Sequence, residues 1–181
     1  MRKVIKITLI ALATILVAGF CIPEKKAMPC CTPKDYDINS FWTWPWTRGR
    51  AGHPHTGVDI FGKRGTSVVS QTGGLVIYAQ LMPGKAGNSV FVLGPKWRVH
   101  EYLHLETIET ERWKFVKPGE LIGTLGDTGN AKGTPPHVHY GIVTPIPYVW
   151  RWFIHEGPCN PPKHFNWRLM FWLDPADHLP H

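Results

Sequence analysis

The chain is 181 residues long, with 43% apolar and 18% charged residues, a composition that excludes a disordered or collagen-like protein. Its 18 glycines and 17 prolines leave little room for long helices, which disfavours a helix bundle and points to an all-β or β-rich domain. The formal net charge is +7, but the lysines and arginines form no stripe; an anionic surface such as cell-wall polymer or lipid headgroups suits it better than nucleic acid.

Residues 1–22 open with Arg2, Lys3 and Lys6 and continue as the apolar run ITLIALATILVAGFCI. A basic start before an apolar run is the pattern of a signal peptide. The run at 7–22 is shorter than the roughly 20 residues a spanning helix needs, but Val4 and Ile5 extend it, so a retained N-terminal membrane anchor is the alternative. Cys21 ends the run as a candidate for lipidation, although Phe20 stands where bacterial lipoprotein signals prefer a small residue. Each reading exports the functional domain to the periplasm or cell envelope.

Residues 23–40 are polar and without periodicity and read as a linker to a domain spanning 41–181. Export meets oxidising conditions, so Cys159 is expected to pair with Cys30 or Cys31, and the sequence does not choose between them. From Phe41 onward, short apolar runs alternate with turns. Residues 66–70, 74–80, 88–94, 98–105, 119–126 and 137–144 are β-branched or aromatic and bounded by turn signals, so all six are expected as strands. Gly73-Gly74, Pro83-Gly84, Pro118-Gly119 and the run Gly126 to Asn130 supply the turns. Six such strands argue for an antiparallel β domain. Residues 145–171 form an aromatic-rich insertion containing Trp150, Trp152, Phe153, Phe165 and Trp167. It reads as a flap packed on the sheet or as a platform for sugar rings or lipid; Trp42, Trp44 and Trp46 share that ambiguity.

The ten histidines carry the chemistry. Residues 55–59 read HTGVD, residues 102–105 read YLHL, and residues 137–139 read HVH. In a strand, positions i and i+2 share a face, so His137 and His139 present two imidazoles side by side. Pro135 and Pro136 oppose a helix there, and Pro54 and Gly57 make 55–59 extended or looped. Two histidines and an aspartate would form a three-ligand zinc site with an open position for water, the layout of a hydrolytic centre. Nearby histidines outside the ligand set could then carry protons.

Taken in order, HTGVDI (55–60), GTSVVSQTGGLVIYA (65–79), YLHL, KPGELIGTLGDTGNAKGTPPHVHYGI (117–142) and WLDPADHL (172–179) resemble the lysostaphin/LytM-type zinc metallopeptidases. The resemblance implies a twisted antiparallel sheet with a substrate groove. It implies one zinc per chain, bound by His55, Asp59 and His139, and it makes His104 and His137 the unliganded catalytic histidines. Family members cleave stem or cross-bridge peptides of bacterial peptidoglycan, which would be the partner here. Two alternatives stand beside that function: a non-catalytic scaffold that activates cell-wall amidases, and a cell-wall binding module. The long aromatic insertion departs from the family pattern. His53 is a rival ligand, but only His55 has the family spacing to Asp59.

Overall fold

A computed structural model describes residues 1–30, 55–84, 86–153 and 170–180. Among the described residues there are one α-helix, α1 (Arg2–Cys21), and ten strands in two antiparallel sheets. The strands are β1 (Gly57–Phe61), β2 (Ser67–Val69), β3 (Gly74–Met82), β4 (Gly87–Leu93), β5 (Val99–Leu105), β6 (Thr107–Ile108), β7 (Phe115–Val116), β8 (Leu121–Thr124), β9 (His137–Val143) and β10 (Trp172–Leu173). All six expected strands form, with no end shifted by more than two residues. HTGVD contributes a further strand, β1, because it finds β9 as a partner.

The larger sheet runs β1-β9-β5-β4-β3-β7, with β10 continuing along β9 beyond the end of β1. The smaller sheet runs β2-β8-β6. Between them lies a core of Val58, Ile60, Val68, Val90, Val92, Ile122, Leu125 and Ile142, all fully buried. Strand alternation produces this face: Val58 and Ile60 point inward while Asp59 points the other way. Tyr102 and Tyr140 are also fully buried, and Gln71 satisfies their hydroxyls. The Gln71 amide donates to Tyr102 Oη at 2.7 Å, and Tyr140 Oη donates to Gln71 Oε1 at 2.7 Å. His100 and Tyr140 Oη lie 2.7 Å apart, so His100 is a core residue.

Helix α1 starts at Arg2 and takes in Val4 and Ile5, and its 20 residues are long and apolar enough to cross a membrane. Most of it projects from the domain, but its last turn docks. Phe20 packs against the core beside Tyr148, Trp97 Nε1 donates to the Leu16 carbonyl at 2.8 Å, and a side chain at Gly19 would collide with the Trp97 indole.

The stretch expected as a linker is bound to the domain over residues 24–30. Glu24 is buried against Arg98 at 2.8 Å. The Ala27 amide donates to Gln71 O at 2.7 Å, the Val69 amide donates to Pro29 O at 2.8 Å, and Cys30 joins the core. The expectations for Cys31, Cys159, His53, the tryptophans at 42, 44 and 46, and most of the aromatic insertion lie outside the described residues. Within the insertion, Tyr148 is buried and stacks on the exposed Trp150.

Candidate metal centre

Strands β1 and β9 pair so that Asp59 stands directly opposite His139. His55 lies two residues before β1. Its Nε2 is 3.1 Å from Asp59 Oδ1, and His139 Nδ1 is 3.0 Å from the same oxygen. One ligand-capable atom from each of the three residues lies within 4.8 Å of the others, the only such group among the described residues. The donor set is two imidazole nitrogens and one carboxylate oxygen, which suits zinc. Close approach depends on Gly57 between His55 and Asp59: a Cβ there would strike the Tyr140 carbonyl and lie 2.6 Å from His139 Nε2.

The electrostatics favour an anionic carboxylate at the centre. Burial opposes the charge on Asp59, but hydrogen bonds from His139 and His55 outweigh it and hold the carboxyl well below the ordinary range. Burial pushes His139 downward, and its contact with Asp59 only partly offsets this.

His137 is on the same face of β9 as His139. His104 reaches that face by a different route. Simple alternation would send it to the core side with His100 and Tyr102. Instead its φ is +65°, and the β4–β5 register slips between Asn88 and Val90. The alternation reverses here: Leu105 takes the core position, while the His104 ring lies 5.2 Å from His137 and 6.1 Å from His139. A non-glycine residue in this backbone region costs on the order of 1–3 kcal/mol.

Both rings have a defined tautomer. His104 Nδ1 donates to the Thr128 carbonyl at 2.9 Å, and His137 Nδ1 donates to the Pro135 carbonyl at 2.8 Å. Carbonyl oxygens only accept, so each neutral imidazole keeps its lone pair on Nε2. Burial, with the neighbouring His139 and His137, lowers His104 to about 4, so it is neutral near pH 7.

The structure also reveals a supporting residue that sequence spacing does not single out. Thr128 Oγ1 donates to Leu105 O at 2.9 Å and accepts from the Asn88 amide at 2.9 Å. The turn Gly126 to Asn130 is therefore tied to β4 and β5 at the point where His104 departs from alternation. Its signal in the sequence is the glycine-flanked Asp127-Thr128 pair.

The family model of peptidase family M23 matches residues 53–149, and the chain belongs to that family. It is 27% identical over 122 residues to the murein hydrolase activator NlpD of Escherichia coli, covering 61% of this chain and 31% of that protein. It is 33% identical over 98 residues to lysostaphin of Staphylococcus simulans, covering 53% and 19%. A zinc-containing peptidase from Vibrio cholerae superposes with a TM-score of 0.53 at 26% identity, covering 66% of this chain and 36% of that one. The chain thus spans less than a third of the length of either curated relative.

Proposed function

We propose that the protein is a zinc metalloendopeptidase that hydrolyses peptide bonds in the stem or cross-link peptides of bacterial peptidoglycan. The observation that carries this reading is the convergence of His55 Nε2, His139 Nδ1 and Asp59 Oδ1. These residues would hold one zinc per chain. When bound, zinc would supply Lewis acidity toward the scissile carbonyl and lower the pKa of a coordinated water toward about 7.

In this reading the chain's own residues handle the protons. His104 and His137 each present an Nε2 lone pair on the site face. One accepts a proton from the attacking water, and the other, once protonated, hydrogen-bonds the oxygen that develops negative charge. The Nδ1–H bonds to Thr128 and Pro135 keep each ring from rotating out of that role. Similarity to a murein hydrolase activator and the apolar α1 support an envelope location. The docking of Gly19 and Phe20 on the domain favours α1 as a retained anchor.

Similarity to a murein hydrolase activator supports a second reading, a scaffold that activates wall amidases without catalysis. The two separate in one experiment: mass spectrometry of purified peptidoglycan after incubation with zinc-loaded protein, with chelator and Asp59→Ala controls. New peptide termini that disappear in both controls establish the peptidase. Absence of new termini with zinc bound leaves the scaffold.

A further inference from the structure

Across three neighbouring strands of the large sheet, Gly57, Gly141 and Glu101 stand side by side: Gly57 pairs with Gly141, and Gly141 pairs with Glu101. Gly141 is two residues beyond His139 on β9, so this row lies on the site face, roughly 7 Å along the strand from the metal ligands. The two glycines contribute no side chains. A Cβ on Gly141 would sit 3.2 Å from Glu101 Oε2 and 3.4 Å from the Thr56 carbonyl, so the carboxyl reaches over Gly141 toward the chain that carries His55. Two oxygen acceptors therefore flank a floor that lacks side chains.

Among the described residues no cation balances this carboxyl. The register partners of Glu101 are Gly141 on β9 and Phe91 on β4, with Gly57 of β1 beyond Gly141. Among the described residues none forms a hydrogen bond or ion pair with it. Burial alone pushes Glu101 up to about 7. A partly buried carboxyl beside a backbone carbonyl, with no donor between them, matches a ligand group that brings both positive charge and several N–H donors. A primary ammonium, with three donors, is such a group.

We propose that Glu101 is a specificity-determining residue that receives a free primary amine of the peptide substrate. The proposal rests on the peptidase reading above. An offset of roughly 7 Å is about two residues of extended peptide, so the amine belongs to a residue within one or two positions of the scissile bond. Peptides whose amine at that position is blocked are the disfavoured substrates.

The test compares soluble cross-linked peptidoglycan fragments having free primary amines with the same fragments after N-acetylation, digested by the full zinc-loaded chain. The expected result is that the parent prefers the free-amine fragments by about tenfold or more in kcat/KM, the scale of one charge-assisted hydrogen bond. Glu101→Gln should keep its zinc and its rate on acetylated fragments, and should lose the preference. Equal parental rates on the two substrates overturn the proposal while leaving the peptidase reading intact, and they do so without any variant. A Glu101→Gln protein that slows equally on both also overturns it, since the role would be structural. If the zinc-loaded parent cleaves neither substrate, the peptidase reading fails and this proposal with it.

Discussion

His104 and Thr128 are joined by reciprocal bonds: the imidazole Nδ1 donates to the Thr128 carbonyl at 2.9 Å, and the Thr128 amide donates to the His104 carbonyl at 3.3 Å. A residue with unfavourable φ is thus held from both its side chain and its main chain. Thr128 is in turn fixed through Oγ1 to Asn88 and Leu105. Thr128→Val keeps the volume and removes both hydroxyl bonds. It should cost about 1–3 kcal/mol of stability and, at saturating zinc, lower kcat more than it raises KM. Thermal unfolding and steady-state kinetics on peptidoglycan fragments provide the check; unchanged kcat would show that His104 needs no such support.

Metal content separates the two groups of histidines. His139→Ala and Asp59→Ala should lose most of the zinc. His104→Ala and His137→Ala should keep about one zinc per chain and lose roughly 10²–10⁴-fold in rate, the range for general acid–base groups. Elemental analysis beside activity measurements distinguishes them. Zinc loss on substitution of His104 would move it into the ligand set.

Gly57 offers a steric test that leaves every ligand in place. Gly57→Ala puts a methyl group against the Tyr140 carbonyl and His139 Nε2, so the His139 ring must shift. Zinc affinity should fall about 10–100-fold, the scale of a disturbed ligand orientation. Gly65→Ala is the control: its φ of +82° makes the substitution strained, but nothing lies within 4 Å of the new methyl. It should lower stability by about 1 kcal/mol and leave zinc binding alone. Competition against a chromogenic chelator reads both.

Acid stability should depend on His100. Burial, reinforced by Arg98, His178 and Lys26, lowers it from its ordinary value to about 3. Tyr140 donates to Gln71, so its oxygen accepts from His100 Nδ1–H, and the neutral ring is the form the core holds. Between pH 6.5 and 3 the unfolded chain binds the extra proton. The contribution of His100 is therefore present above pH 6.5 and is lost as pH falls through that window, at up to about 1.4 kcal/mol per pH unit. His100→Asn should be less stable at pH 7.5 but should lose less between pH 7.5 and 4.5. Denaturant titrations at the two pH values measure this; an unchanged pH slope would mean that other groups control the acid transition.

The strands were legible because alternation and glycine turns act locally, and the grouping of His55, Asp59 and His139 was legible through the order in which HTGVD and HVH recur in the family the chain resembles. What local pattern could not show is where tertiary contacts override it. Tyr102 and His104 are two apart and should share a face; the β-bulge where the register slips between Asn88 and Val90 separates them. Residues 24–30 have no periodicity, yet a buried Glu24–Arg98 pair and main-chain bonds to Gln71 and Val69 hold them. Glu101 reads as an ordinary strand residue until pairing sets it beside two glycines. Thr128 is an unremarkable turn threonine until the turn folds over His104.

The docked stretch leaves almost no slack in the chain. Helix α1 ends at Cys21, and Glu24 is already clasped by Arg98, so only Ile22 and Pro23 lie between the helix and the next fastened side chain. Were α1 to sit in a bilayer, the domain would have no leash: its working radius would be its own size, and any wall peptide it cleaves would have to come within that distance of the membrane. The same shortness limits how the domain could be set free. A cut beyond Glu24 strips the carboxylate partner from Arg98, and one beyond Cys30 also removes a core residue. A release that keeps the fold intact must therefore fall on the α1 side of Glu24.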